Sequence, residues 1–221
     1  MTEQVNHQSM DKFESFYRDY TTPDEVVKGY AEWVQNGYDS DFEAITHRGH
    51  VLVGDLISEL FPSNREDVYI LDIAAGTGRV GQALTDRGFR RIDALDPCLP
   101  MLEEAKKKNV YQRYINDRVS GDPLDIPEGT YDAVTCSAAF VHGHLPAEAI
   151  IELLRLIKTG GFIAMVGNAE YWEAIPEYRE KMAGVIQKLE SEKKLKVIKK
   201  EIKEGFIGQK YQAIELVLQK L

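Results

Sequence analysis

The chain has 221 residues, 43% of them hydrophobic and 29% charged, with a net charge of −9. That length suits one sizeable domain able to bury its core without disulfides or metals. The acidic balance argues against nucleic acid or an anionic membrane as a partner, since both need basic patches to neutralise phosphate. Two cysteines, Cys98 and Cys136, fit a reducing compartment rather than a disulfide framework. The start, Met1-Thr2-Glu3-Gln4, has no apolar signal core, and no apolar run approaches the roughly 18 residues of a membrane span. The expectation is a soluble, cytoplasmic protein, a monomer by default.

Residues 1–21 are polar and without clear period, which reads as a flexible arm, although Phe13, Phe16 and Tyr17 could pack. Thr22-Pro23-Asp24-Glu25 then forms a capping box with proline in the first turn. The helix it starts runs through Val26, Val27, Tyr30 and Trp33 to about Gly37. A second helix, over about 40–60, carries Phe42, Ile45, Val51, Leu52, Leu56 and Leu60 at helical spacing until Pro62 ends it. Residues 22–62 are therefore expected to form a helical lid, ahead of a catalytic domain over 63–221.

An alternating order follows. Val68–Ile73 reads as a buried strand, Ala74–Gly78 as a tight turn, and Arg79–Arg87 as a helix stopped by Gly88. A second strand (91–95), a second helix (97–109), a third strand within 111–119 and a fourth strand (131–137) come next. A helix over 147–158, stopped by Gly160, leads to a fifth strand (162–166). A further amphipathic helix (176–193) precedes two strands near 195–203 and 212–219. Strands alternating with helices call for a parallel sheet covered on both faces. The short Gly205–Lys210 connection permits only an antiparallel pair. The fold class is thus α/β, doubly wound, with a mostly parallel seven-stranded sheet, one antiparallel strand at its end, and helices at the N-terminus.

In such sheets ligands bind beyond the carboxyl ends of the strands, where strand order reverses. The first of these turns reads Asp72-Ile73-Ala74-Ala75-Gly76-Thr77-Gly78-Arg79-Val80-Gly81. Its glycines match G-x-G-x-x-G, a pattern common to dinucleotide sites and to turns that bind nothing. Asp96 stands 20 residues beyond Gly76, at the end of the second strand, where a carboxylate can accept from both hydroxyls of a ribose. NAD and S-adenosylmethionine both carry that ribose. Asp72 separates them: a carboxylate at the mouth of the turn would repel a pyrophosphate and favour a sulfonium and an ammonium.

Asp72-Ile73-Ala74-Ala75-Gly76-Thr77-Gly78 resembles the first motif of the class I S-adenosylmethionine-dependent methyltransferases. Leu95-Asp96-Pro97 with Met101-Leu102-Glu103-Glu104-Ala105 resembles their second motif. Thr130-Tyr131-Asp132-Ala133-Val134 and Gly160-Gly161-Phe162 resemble the fourth- and fifth-strand regions. The likeness covers about residues 65–167. Val110-Tyr111-Gln112-Arg113, Pro127-Glu128-Gly129 and the Tyr30, Trp33, Tyr38-Asp39 cluster are similar to the methyltransferase-like group named for the Williams–Beuren syndrome critical region.

The resemblance implies that the glycine turn, with Ala74, Gly76, Thr77 and Gly78, meets the methionine part of the cofactor. It implies that Asp96 and Pro97 meet the ribose, and that an acid after the third strand meets the adenine amine. Asp117, beside Arg118, and Asp122 both follow that strand; the spacing to Tyr131 favours Asp117. Met101 is placed to cover an adenine face or simply to pack its helix. Ser137 ends the fourth strand. Tyr38 and Trp33 are candidate lid contacts, because aromatic faces favour cations; Trp33 and Tyr30, three residues apart on a helix, equally suit a core.

Transfer from a sulfonium mainly requires alignment of the acceptor and exclusion of water. A base matters only for a protonated acceptor, and His142 is the candidate, with His144 beside it in the loop after the fourth strand. His47 and His50 could face the same cleft. No metal site is expected. Cys98 reads as an incidental small residue. The absence of a Pro-Pro-Tyr stretch after the fourth strand argues against methylation of adenine or glutamine amines. The acceptor is expected to be a small molecule. A cofactor-binding protein without catalysis and an NAD-dependent oxidoreductase stay open as alternatives.

Overall fold

The computed structural model describes residues 6–19, 22–141 and 143–221. Helices α1 (His7–Asp19), α2 (Pro23–Gln35), α3 (Tyr38–Ala44) and α4 (Gly49–Leu60) precede β1 (Tyr69–Ile73). Then come α5 (Arg79–Asp86), β2 (Arg91–Leu95), α6 (Leu99–Lys108), β3 (Arg113–Ile115) and β4 (Tyr131–Ser137). The rest is α7 (Ala149–Leu156), β5 (Ile157–Asn168), α8 (Ala169–Ala174), α9 (Pro176–Ser191), β6 (Leu195–Ile207) and β7 (Tyr211–Lys220).

The strands form one sheet in the order β3-β2-β1-β4-β5-β7-β6. All neighbours from β3 to β5 are parallel, and β7 runs antiparallel to both β5 and β6. The reversed strand therefore lies one position in from the edge, not at the end. The hairpin through Gly205 and Gly208 brings β7 back between β5 and β6, which gives β7 partners on both sides. Strand alternation divides the core. Ile70 joins the apolar cluster on one face, with α4, α5 and the N-terminal helices; Leu71 and Ile73 join the cluster on the other, with α7 and α9. Order reverses at β1 and β4, which opens a crevice beyond their carboxyl ends.

The capping box expected at Thr22 is present: its side chain accepts from the Glu25 N–H, and Glu25 accepts from the Thr22 N–H. The single helix expected over 40–60 is two helices. His47 forms an isolated bridge with Ile207, and the Arg48 N–H donates to the Phe206 carbonyl. Pairing with the edge of β6, together with Thr46 at φ 53, breaks the helical run between Ala44 and Gly49. Helix α8 was not legible as separate from its surroundings; Asn168 caps it by accepting from the Glu170 and Tyr171 N–H groups.

The expected flexible arm also needs correction. Its residues 7–19 form α1, and Phe13 and Phe16 are buried. The Phe16 ring lies 4.4 Å from Tyr30 and 5.1 Å from Trp33, and Phe13 lies 5.6 Å from Phe42. The apolar side chains of this polar segment fall on one helical face and find an aromatic layer to cover. The side chain of Tyr17 lies outside the described residues.

Phe16→Ala should therefore lower the unfolding free energy by about 3 kcal/mol, as for other buried aromatics. Urea titration measures it; a change within about 0.5 kcal/mol, typical of a surface site, would mean that α1 is no part of the core.

Candidate functional site

Three adjoining cavities, of about 510, 390 and 390 Å³, follow the carboxyl ends of β1, β2 and β4 and share Ala74. Ala74 takes φ 52 and Gly76 φ 54, so the chain turns sharply as it leaves β1. A Cβ added at Gly76 would meet no protein atom, and its backbone borders open cavity. That is the arrangement a ligand pressed against the turn requires.

At the centre stands Asp96, buried, bordering both the first and the third of these cavities. Its Oδ2 accepts from the Gly76 N–H and its Oδ1 from the Cys98 N–H, both at 2.8 Å. Burial pushes its carboxyl up to about 6 against the pull of those two N–H groups. Each oxygen keeps a lone pair for a further donor. Pro97, Cys98, Arg118 and Val119 wall the apolar end, and Val26, Val27 and Tyr30 of α2 roof it. The Cys98 thiol is pushed up to about 11 by burial and is not an activated nucleophile.

The opposite end is lined by Tyr38, His47, His50, Thr77, Arg79 and Ser137. Here three buried nitrogens, His47 Nε2, His50 Nδ1 and Arg79 Nη1, lack a hydrogen-bond partner among the described residues. Burial, then the Arg79 charge, holds His50 down at about 4 and His47 well below its usual range. Both rings are neutral near pH 7, and Arg79 is the cation beside them. Such an end suits an anionic group.

The N-terminal helices are tied to the sheet region at separate points. Asp39 accepts from Thr77 Oγ1 at 2.5 Å and from Lys108 Nζ at 2.9 Å. Tyr30 Oη and His144 Nε2 are hydrogen-bonded at 2.9 Å across the roof. Arg118 pairs with Asp24 at 2.8 Å.

Several expected site residues sit elsewhere. Asp72 is not at the mouth of the turn. It alternates with the core-facing Leu71 and Ile73, and points beneath the turn, fully buried. Tyr111 donates to its Oδ2 at 2.6 Å and Thr135 to its Oδ1 at 2.8 Å. Burial pushes its carboxyl up to about 7. Gly78 does not line the cavities either. A Cβ there would lie 3.1 Å from the Tyr111 ring and 3.2 Å from Ala105, and one at Gly81 would lie 2.3 Å from that ring. These two glycines make room for Tyr111, whose hydroxyl accepts from the Gly81 N–H at 3.0 Å.

Trp33 is a core residue of the N-terminal helices. It donates to Asp41 at 2.7 Å, is buried among Phe16, Tyr38 and Phe42, and borders none of the three cavities. Asp117 and Asp122 are exposed, and neither lines the apolar end; Asp117 accepts from the Arg118 N–H instead. Ala74, Gly76, Thr77, Asp96, Pro97, Met101, Arg118, Ser137 and Tyr38 do line the cleft. His142 lies outside the described residues. Among the described residues no group of His, Cys, Asp and Glu is arranged to hold a metal. The part played by Arg79 was missed, since one arginine after a glycine turn carries no signal of its own; only the unpaired guanidinium nitrogen reveals it.

The sheet departs from the dinucleotide-binding pattern. Dinucleotide folds run all parallel in the order 3-2-1-4-5-6; here an antiparallel strand stands between β5 and β6. Residues 71–165 match the family described as a methyltransferase domain. Residues 71–165 are a methyltransferase domain. Its cofactor is S-adenosylmethionine, and the cleft offers groups that suit that molecule: unpaired nitrogens at one end, a buried carboxylate and an apolar slot.

The chain is 34% identical to human methyltransferase-like protein 27 over 151 residues, 66% of this chain and 61% of that protein. It is 33% identical to a demethylmenaquinone methyltransferase of Renibacterium salmoninarum over 145 residues, 63% of this chain and 56% of the relative. The chain thus spans less than two thirds of either relative. Its fold is shared with a chain from the complex of the Haloferax volcanii Trm112 methyltransferase activator with a putative methyltransferase. That match has TM-score 0.64 at 18% identity, and covers 86% of this chain and 97% of the other. A putative S-adenosyl-L-methionine-dependent methyltransferase from Methanococcus maripaludis matches with TM-score 0.60 at 18% identity, over 86% and 93%.

The Asp72 carboxyl titrates higher in the fold than in an unfolded chain, so the folded state holds more protons between about pH 4 and 7. Stability contributed by this group is full at the acid end and is lost as pH rises through that window. Asp72→Asn should reduce the fall in unfolding free energy between pH 4.5 and 7.5 by roughly 3 kcal/mol. Urea titrations at both pH values test it; an unaltered slope would place the titration elsewhere.

Proposed function

We propose that the chain is an S-adenosylmethionine-dependent methyltransferase acting on a small-molecule acceptor, with residues 22–62 as a lid over the cofactor. The observation that carries this reading is the order of groups along the cleft. Unpaired nitrogens at His47, His50 and Arg79, then the Asp96 carboxylate, then the slot at Pro97 and Val119 follow the order of an amino-acid carboxylate, a ribose and an adenine. S-adenosylmethionine supplies a methyl group already made electrophilic by its sulfonium.

What remains for the protein is binding, alignment and exclusion of water. Arg79 and His50 hold the carboxylate of the methionine part. Asp96 accepts from the ribose hydroxyls while Gly76 and Cys98 keep its carboxylate in place. Met101 and Val119 wall the base, and Arg118 rather than Asp117 or Asp122 borders it. The α2 roof keeps water out. Where an acceptor arrives protonated, the imidazoles of the loop after β4, His142 and His144, are the bases in reach by sequence position.

A small acceptor agrees with the acidic balance of the chain and with relatives named for demethylmenaquinone and ubiquinone/menaquinone methylation. Among the described residues no helix is long and apolar enough to cross a membrane. We place the protein in the cytoplasm on its two unpaired cysteines.

Asp96→Ala should weaken S-adenosylhomocysteine binding at least tenfold, about 1.4 kcal/mol, by calorimetry; unchanged affinity would remove Asp96 from the site. Below about pH 6 the Asp96 carboxyl is protonated and has lost acceptor capacity. Wild-type affinity should therefore fall about fourfold from pH 7.5 to pH 5.5, and Asp96→Asn should abolish that trend. Methyl transfer from labelled cofactor into a metabolite extract tests the activity. Tight cofactor binding with no transfer in any extract would mean a binding protein without catalysis.

A further inference from the structure

Ala138, at the end of β4, borders two of the cleft cavities and also a fourth cavity of about 290 Å³ on the far side of the strand end. Phe13, Phe206, Phe140, Val141, Tyr171 and Trp172 give this space flat, apolar walls. Among the described residues, no charged side chain lines it. An ammonium or a carboxylate would lose its hydration there without gaining a counter-charge.

Two polar groups interrupt the apolar wall. Asn168 Nδ2 and Trp172 Nε1 are buried and have no hydrogen-bond partner among the described residues. The orientation of the amide is fixed. Asn168 Oδ1 accepts from the N–H groups of Glu170 and Tyr171, at 2.9 and 3.2 Å, so the NH2 end must face away from the helix it caps. Asn168 caps α8, Trp172 lies within that helix, and both line the cavity. A buried N–H without a partner is costly, and two of them in one wall of one cavity call for an acceptor atom supplied from outside the chain.

We propose that this cavity is the methyl-acceptor site, and that it takes a neutral, flat molecule whose carbonyl- or phenol-type oxygen accepts from Asn168 Nδ2 and Trp172 Nε1. The proposal rests on the methyltransferase reading above and adds the substrate class to it. Asn168 and Trp172 are positioning and specificity residues here. They fix where the oxygen lies and, through the rigid ring attached to it, which atom faces the cleft at Ala138.

The test compares acetophenone with ethylbenzene, which has its shape without the oxygen, and with benzoate, which carries a charge. The full chain is saturated with S-adenosylhomocysteine and labelled with 15N. Its two tryptophans give two indole N–H signals, which Trp172→Phe assigns. Acetophenone should move the Trp172 signal and bind at least tenfold more tightly than ethylbenzene or benzoate. In Trp172→Phe and in Asn168→Asp, which keeps the helix cap and loses the N–H donors, binding is followed on the ligand resonances. The preference for acetophenone over ethylbenzene should vanish while S-adenosylhomocysteine still binds. Equal affinity for acetophenone and ethylbenzene in the wild-type protein overturns the proposal, as does a Trp172 signal that acetophenone leaves in place. Benzoate binding as tightly as acetophenone overturns its neutral-acceptor part. Failure of the wild-type protein to bind S-adenosylhomocysteine would instead overturn the cofactor reading beneath it.

Discussion

The hydroxyl of Tyr111 joins the first strand to the first helix of the domain, and the cleft takes its shape from that joint. It donates to Asp72 on β1 and accepts from the Gly81 N–H on α5, so strand end and helix start are held at one distance. Gly78 and Gly81 are small because the ring must pass between them and α6. With both flanks pinned, the turn from Ala74 to Thr77 has little freedom, and the Gly76 N–H reaches Asp96 on the next strand. A carboxylate below the turn thus sets the backbone, and a second carboxylate beside it faces the cavity. The two acids read from the sequence as one pair of ligand contacts have separate work: one is structural, one borders the site.

Elements with strong local signals were legible. The capping box at Thr22, the buried strand at 69–73 and the hairpin forced by a short connection all rest on neighbours in sequence, and all are present. What was not legible depends on distant partners. Nothing near His47 announces that it will pair with Ile207, and that pairing splits a helix in two. Nothing in residues 7–19 announces the aromatic layer of α2 and α3 that orders α1. Strand period alone would have turned Asp72 away from Leu71 and Ile73; the electrostatic argument for a cationic ligand treated it as exposed. Trp33 followed the resemblance to a lid, whereas three-residue spacing with Tyr30 already suggested a core. Of the expected residues that border the cleft, Ala74, Asp96 and Ser137 sit at strand ends, where the topology rule applies without knowledge of packing.

Families of this fold differ most in what covers the sheet, and here the cover is layered. Helix α2 lies over the slot at Asp96 and Val119, and α1 lies over the cavity beside Ala138. The two helices meet through Phe16, whose ring lies tilted against Tyr30 and Trp33. Tyr30 reaches on to His144, so the cover touches the loop after β4 as well as the glycine turn.

That contact between the covers has a thermodynamic consequence. A molecule that lifts or clamps α1 changes the packing of Tyr30, and one that lifts or clamps α2 changes the packing of Phe16. The two compartments then share one conformational equilibrium. Each occupant shifts the affinity for the other by the same factor, because the coupling free energy belongs to the pair. The aromatic contact at Phe16 is the place where such a coupling would pass between the covers.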